Sequence, residues 1–337
     1  MRFDIARQPL VPAFLTLLAL ALLAAGSFGA ANAAAAGIPH AAFATAPDGL
    51  VTGLPQQALL NLQLHHPLWA GGLGVVLLLA GGLHLGRLST RYNLYGVSSC
   101  LAIPLYGAAL CLAGFGDQYL TALTESLLLV LAFKNYCRAF GNGYRFDALF
   151  RASLSLGLLP LLRPALLPLV LLLPAAVWIF RRTLREATVA CVGLLLPAAA
   201  WCYVNWGAGG VLAAPLLHIA GAFTDGAPFT LLRELTTPEL LAAGILVLLT
   251  LLAALHLLTE FYTTGLKPRF ILLFGFITLL LGILLLCGPG AAPADRTLLA
   301  LPTALLLPFS FVRISPRIVW PLYLLLVGGA GVSLFLQ

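Results

Sequence analysis

Long apolar runs separated by short polar stretches form the main pattern of the chain. A helix needs about 20 mostly apolar residues to cross a bilayer, so each long run predicts a membrane helix. The pattern predicts an all-α, polytopic transmembrane helix bundle of about eleven membrane segments. These are 10–32, 68–87, 95–115, 118–134, 147–162, 164–180, 187–206, 238–259, 270–288, 297–312 and 318–336.

Two of these segments are short and meet at an arginine. The sequence from residue 158 to residue 174 reads LLPLLRPALLPLVLLLP, with Arg163 directly before Pro164. We expect a short hairpin across 147–180, and whether it crosses the membrane fully stays open. An unpaired guanidinium in hydrocarbon costs on the order of several kcal/mol, so Arg163 needs an interface, a wet cavity or a partner. Glu125, inside the fourth segment, is the candidate partner; an anionic lipid head group is the alternative.

Composition narrows the class of protein. Of the 337 residues, 61% are hydrophobic and 9% are charged, whereas soluble domains carry about 25% charged residues. A soluble globule is therefore excluded, and the chain is predicted to be a single integral membrane domain, 1–337, with no soluble domain. The net charge of +7 is spread between the apolar runs, a distribution that does not indicate nucleic-acid binding.

The basic residues predict an orientation. If the N-terminus is cytoplasmic, fifteen of the eighteen lysines and arginines fall on the inner side, which is the bias of bacterial inner-membrane proteins. Both long connections, 33–67 and 207–237, then lie outside. The stretch LPQQALLNLQLHHP in the first connection predicts an interfacial helix. The N-terminal run is long enough for a retained membrane helix, and its Ala-x-Ala tail leaves a cleaved signal peptide as the alternative.

Few ionisable residues fall on the predicted outer side, so each is a candidate for chemistry. A carboxylate acts as a general base when it lies within hydrogen-bond reach of a hydroxyl group. A guanidinium fork suits a phosphate group, and a histidine exchanges protons near neutral pH. The candidate catalytic residues are Asp48, Asp117 and Glu125, and the candidate substrate-binding residues are Arg163, Arg233, Arg296 and His218.

Metal and cofactor sites are not indicated. The six cysteines show no CxxC spacing, and His65 and His66 are adjacent, so they cannot share one face of a helix. The chain has no G-x-S-x-G motif, no P-loop and no dinucleotide fingerprint. The sequence therefore predicts neither a metal nor a cofactor.

The middle of the chain carries a resemblance. The run FDALFRASLSLGLLPLLRPALLPLVLLLP and the charged segment after it resemble an uncharacterised family of multi-pass inner-membrane proteins from Bacteroidota. The tail RTLLALPTALLLPFSFVRISPRIVWPLYLLLV is similar to the end of that family. The likeness implies a multi-pass bundle. The residues that match the family's charged segment are Arg181, Arg182, Arg185, Glu186, Gly193 and Pro197.

More distantly, the layout is similar to the membrane glycosyltransferases of the C superfamily, which use polyprenyl-phosphate sugars. Those proteins place an acidic residue in the first outer loop, where this chain has Asp48, and Asp117 near Glu125 would supply a second outer carboxylate. The chain departs from them in having Ala200-Trp201 in place of Pro-Trp and no large outer domain. The likeness implies glycosyl transfer in envelope glycan assembly, with polyprenyl phosphate as the lipid partner.

Two other functions stay open. In a transporter or lipid translocator, Glu125 and Arg163 would line a polar pathway. A non-catalytic membrane subunit of an envelope complex would need no reactive residues. The expected partner in every case is membrane lipid and not nucleic acid.

Overall fold

The computed structural model describes residues 8–36, 55–139, 144–224, 228–260, 262 and 265–336, and these form helices and turns without any strand. Two stretches, Pro164–Leu171 and Pro293–Leu299, are 3₁₀ helices. The α-helices are α1 Leu10–Ala36, α2 Pro55–His65, α3 Pro67–Arg91, α4 Ala102–Ala113, α5 Tyr119–Arg138, α6 Phe146–Leu162, α7 Leu172–Ile179, α8 Leu184–Gly207, α9 Ala214–Thr224, α10 Thr230–Glu234, α11 Thr237–Thr259, α12 Leu266–Leu286, α13 Ala300–Arg313 and α14 Pro316–Leu336.

Seven of the described helices are long and apolar enough to cross a membrane, so the predicted count of about eleven membrane segments is not confirmed. Helical structure does occupy every predicted segment. However, α4 has 12 residues and α6 has 17, and polar residues lower the hydropathy of α5. The seven spans are Leu10–Gly29, Pro67–Arg91, Leu184–Gly207, Thr237–Thr259, Leu266–Leu286, Pro293–Arg313 and Pro316–Phe335.

Two helices occupy the centre of the bundle. The most apolar window of Pro293–Arg313, which includes α13, is 94% buried, far more than that of any other candidate span. Helix α4 is buried along nearly its whole length and packs against α1, α3, α11, α13 and α14. A helix that is apolar on all sides belongs in such an interior position. The apolar character of α4 therefore reflects burial in protein.

Helices α6 and α8 pack closely because each presents a glycine at their crossing. A Cβ atom added to Gly157 would lie 2.2 Å from the Leu194 carbonyl oxygen, and one added to Gly193 would lie 2.8 Å from the Phe150 carbonyl oxygen. Small residues allow this kind of backbone approach between membrane helices. The crossing packs α6, the helix that ends directly before Arg163, closely against α8.

The predicted hairpin around Arg163 is present. Helix α6 begins beside the start of α8, because the Arg145 backbone N–H donates to Glu186 Oε1 at 3.2 Å. The chain then runs along α6 to Arg163 and returns through Pro164–Ile179. On its return, Arg182 donates a hydrogen bond to the Ala139 carbonyl oxygen, next to the start of α6. Arg163 therefore lies at the far tip of the hairpin.

Candidate functional site

The backbone at Arg163 is set by the proline that follows it. Helix α6 ends at Leu162, and Arg163 adopts an extended conformation with φ −144° and ψ 122°. A residue before proline is disfavoured in the helical region, which explains why the helix ends here. The Arg163 backbone N–H still donates to the Leu159 carbonyl oxygen at 3.0 Å. The arginine side chain thus leaves the end of the helix and turns into the bundle.

Arg163 forms a buried ion cluster with two carboxylates. Its Nε atom lies 3.2 Å from Glu125 Oε1, and its Nη2 atom contacts Asp295 Oδ1. Glu125 and Asp295 are fully buried, and Arg163 is 7% exposed. Buried charges are costly unless they are paired, so the three residues depend on one another. Two carboxylates share one guanidinium, which leaves one surplus negative charge when all three groups are ionised.

The turn Pro293–Leu299 directs two adjacent charged residues to different partners. Asp295 faces Arg163, and its Oδ2 atom also accepts from the Ala292 backbone N–H at 2.7 Å. Arg296 is buried and donates from Nη2 to Glu239 Oε1 at 2.8 Å. Glu239 lies in the first turn of α11. The 3₁₀ conformation therefore joins α6 and α11 through one pair of consecutive residues.

A polar cavity of about 540 Å³ lies beside this ion cluster. Its lining includes the carboxylate of Asp117 from the α4–α5 turn, the guanidiniums of Arg163 and Arg296, and the carboxylate of Glu239 at the start of α11. Cavities of several hundred Å³ with a few convergent polar groups are the usual form of a ligand site. The polar side chains in the lining are Gln56, Asp117, Gln118, Arg163, Glu239 and Arg296.

A second cavity of about 480 Å³ adjoins the first and is mostly apolar. The two linings share Gly116, Asp117, Glu239 and Arg296, so the cavities meet at those residues. The apolar part lies between α1, α4, α11 and α14. Side chains that line it include Phe28, Leu112, Phe115, Ala242 and Val332. Together the two cavities place Asp117, Glu239 and Arg296 at their junction, with Arg163 on one side and a group of apolar side chains on the other.

Asp117 reaches the shared boundary from a tight turn between α4 and α5. Gly114 and Gly116 have positive φ angles of 73° and 60°, a region that favours glycine. The turn is fastened to α2, because Gln63 Nε2 donates to the Asp117 carbonyl oxygen at 2.7 Å. The Asp117 side chain itself is exposed. It is therefore free to meet a ligand, unlike the carboxylates of the ion cluster.

The structure brings together three of the residues predicted from the sequence, Asp117, Arg163 and Arg296. Glu125 is paired with Arg163, which is one of the two alternatives predicted for that arginine. Glu125 lines neither cavity. The remaining candidates are elsewhere: Arg233 is exposed and His218 is half-buried, both outside the two linings, and Asp48 lies outside the described residues.

Sequence reasoning did not select Asp295 or Glu239 as site residues. Nothing in the local sequence marks either residue as a partner of Arg163 or Arg296. The available signal was the Asp295-Arg296 pair at the start of an apolar segment, where charges are rare. Their roles depend on the packing of three distant segments.

The described residues contain no group of three or more His, Cys, Asp and Glu side chains able to hold a metal ion. Comparison of the chain with protein family models, with curated proteins and with solved structures finds no match. The function of the cavities must therefore be argued from their own chemistry.

Proposed function

We propose that the protein is a membrane enzyme that transfers a sugar from a lipid-linked sugar phosphate to a hydroxyl acceptor, in the manner of a polyprenyl-phosphate-dependent glycosyltransferase. The observation that carries the proposal is the group of charged side chains at the junction of two cavities, with Arg163 on one side and large apolar side chains on the other. A polyprenyl-phosphate sugar has the matching form, a polar head on an apolar chain. The apolar cavity would take the first part of the chain and the polar cavity the head.

The arginines of the polar cavity are suited to the phosphate. The contacts of Arg163 with Glu125 and Asp295 use Nε and Nη2, and the contacts of Arg296 also use Nε and Nη2. Within the described contacts, the Nη1 atom of each guanidinium remains for a ligand. A phosphate ester would accept hydrogen bonds from these two Nη1 groups. The partly exposed Glu239 would move aside as the phosphate approaches Arg296.

Asp117 is the residue best placed to activate the acceptor. It is an exposed carboxylate at the boundary of the two cavities, where the sugar of a bound donor would lie. Asp117 would take the proton of the acceptor hydroxyl, and the oxygen would form a bond to the anomeric carbon. The bond from that carbon to the phosphate oxygen breaks at the same time. The lipid phosphate then leaves with the electron pair.

The first test measures binding of the lipid separately from sugar transfer. The protein is purified from its membranes, and the retained lipid is identified by mass spectrometry. We expect polyprenyl phosphate in the wild type, with retention reduced about tenfold in Arg296→Gln because a charged hydrogen bond is lost. Arg185→Gln, an exposed arginine outside the cavities, is the matched control and keeps the lipid. A wild type that retains no polyprenyl lipid contradicts the proposal.

The second test uses Asp117→Asn with a polyprenyl-phosphate sugar as donor. Removal of a general base lowers transfer by about 10²- to 10⁴-fold, while lipid retention stays unchanged. Asp147→Asn removes an exposed carboxylate at the start of α6 and serves as the control. Full transfer by Asp117→Asn would remove this residue from the catalytic role.

The ion cluster favours a second candidate, a proton-coupled transporter or lipid translocator. Glu125 and Asp295 are fully buried and share a single guanidinium, so uptake of one proton would make the cluster neutral. In proteoliposomes, solute or lipid movement would then respond to a pH gradient in the wild type and not in Glu125→Gln. Solute or lipid movement that does not depend on the pH gradient argues against a proton-coupled transporter.

A further inference from the structure

A second group of cavities lies at the other end of α5 and is lined by cations. One cavity of about 650 Å³ and a smaller one of about 80 Å³ share Arg91, Tyr92 and Arg138. We name their cationic side chains the basic pocket. It draws on α3, on α5, on the residue before α6 and on the first turn of α12. Its members are Arg87, Arg91, Lys134, Arg138, Arg145 and Lys267.

Among the residues that the structure describes, no carboxylate lines the basic pocket. Neither lining includes an Asp or a Glu. Within the part of the chain that the structure describes, none of the six cations belongs to an ion pair. Glu186 lies nearby, but it contacts the Arg145 backbone N–H and pairs with Arg182 instead. The local charge is therefore strongly positive.

The remaining titratable groups in the pocket do not offset this charge. Lys134 Nζ lies 3.2 Å from His84 Nδ1. An ammonium group has no lone pair, so the histidine nitrogen is the acceptor and the ring is neutral in this contact. The Tyr92 hydroxyl donates to the Cys137 carbonyl oxygen at 3.1 Å. Burial raises the pKa of Tyr92 and keeps its hydroxyl protonated.

We propose that the basic pocket binds a phosphate-bearing anion with at least two negative charges, such as a diphosphate group. Six cations on four segments repel one another, and a multivalent anion held between them relieves that repulsion. Arginine forks from α3 and α5 match phosphate oxygens in geometry, with Lys267 adding a charge from α12. The anion is either a free phosphate compound or the head group of an acidic lipid, since basic pockets between membrane helices bind such head groups. The proposal does not depend on the proposed function.

The test measures binding to the full chain in phosphatidylcholine nanodiscs, with inorganic pyrophosphate as the soluble probe. A parallel measurement uses nanodiscs that also contain cardiolipin, an acidic lipid with two phosphate groups, and counts the cardiolipin retained after delipidation. The pocket variant is Arg91→Gln combined with Arg138→Gln. The control is Arg185→Gln combined with Arg317→Gln, which removes the same charge from exposed positions outside the linings.

We expect the pocket variant to weaken binding about tenfold or more, because each lost contact is a hydrogen bond to a charged group. The control should change binding by less than about twofold, since exposed charges outside the linings make no contact with the anion and are screened by salt. Pyrophosphate binding supports a free phosphate ligand, and retention of cardiolipin alone supports a lipid head group. Lys267→Gln, on a different helix, should weaken the same probe. Equal losses in both double variants, or no binding of either probe by the wild type, would overturn the proposal.

Discussion

The two ends of α5 use arginine in opposite ways. Near its start, Arg163 and Arg296 are buried and paired with Glu125, Asp295 and Glu239. Near its end, the cations of the basic pocket line open cavities without carboxylate partners. Glu125 and Arg138 are 13 residues apart on this helix, so about 20 Å separates them along its axis. At the first end each arginine is held by carboxylates and has only its Nη1 atom left for a ligand, whereas at the second end no described carboxylate holds the cations.

The comparison predicts that the two ends face opposite sides of the membrane. Cysteine reporters are introduced as Gln56→Cys in the polar cavity and Lys267→Cys in the basic pocket. Cys191 and Cys287 are first replaced by serine, because the other four native cysteines are buried. A membrane-impermeant maleimide applied to intact cells should label the first reporter and not the second, since the positive-inside bias predicts that Lys267 lies on the cytoplasmic side.

In inverted vesicles the labelling pattern should reverse. Labelling of both reporters from one side would contradict the predicted orientation. It would also place the polar cavity and the basic pocket in the same compartment.

Loss of a paired arginine should have the largest effect on stability. Arg163→Gln leaves two fully buried carboxylates without their cation and should destabilise the protein by about 3–5 kcal/mol. The measurement is unfolding in detergent. The control is Arg151→Gln, in α6. Arg151 forms an ion pair with Asp147, and the two side chains are 65% and 77% exposed, respectively. The expected change in stability is therefore below about 0.5 kcal/mol.

A milder variant keeps this prediction testable if Arg163→Gln does not fold. Glu125→Gln retains the Arg163–Asp295 pair and removes the surplus negative charge. Its free energy of unfolding should therefore be clearly higher than that of Arg163→Gln. Equal stability of the Arg163 and Arg151 variants would show that the buried cluster contributes little.

Loss of unpaired cations should have the smallest effect. Arg91→Gln combined with Arg138→Gln removes two exposed charges that repel their neighbours. We expect a change in stability within about 0.5 kcal/mol, with slight stabilisation at low ionic strength because repulsion is least screened there. Unfolding measured at low and at high salt shows whether the change in stability comes from the relief of charge repulsion. A large destabilisation would mean that these arginines pack as structural residues.

Helix positions could be predicted from the sequence, whereas the number of crossings could not. Apolar windows mark helices because both lipid and protein interiors exclude polar side chains. The same property hides whether a helix faces lipid or protein, as α4 shows: its residues are apolar, and it is enclosed by five neighbouring helices. The residues before it, including Asn93 and Gly96 with positive φ angles, form turns inside the predicted segment 95–115 or at its edge.

The pairing of Arg163 with Glu125 was predictable because both are charges in apolar segments that end on the same predicted side. Asp295 was not, since its contact depends on how the turn Pro293–Leu299 packs against α4 and α5. The basic pocket was missed for a similar reason. Its cations are scattered along the sequence, which argued against a patch, and the fold gathers them from four segments.

The buried ion cluster also orders events during synthesis. Glu125 and Arg163 leave the ribosome in close succession and form a neutral pair once α5 and α6 are inserted. Asp295 emerges only after four more of the candidate membrane spans have begun or been completed around that pair. The polar cavity is therefore completed late, when the Pro293–Leu299 turn docks. Nascent chains arrested before this turn would already contain the hairpin but would have neither the second carboxylate nor Arg296.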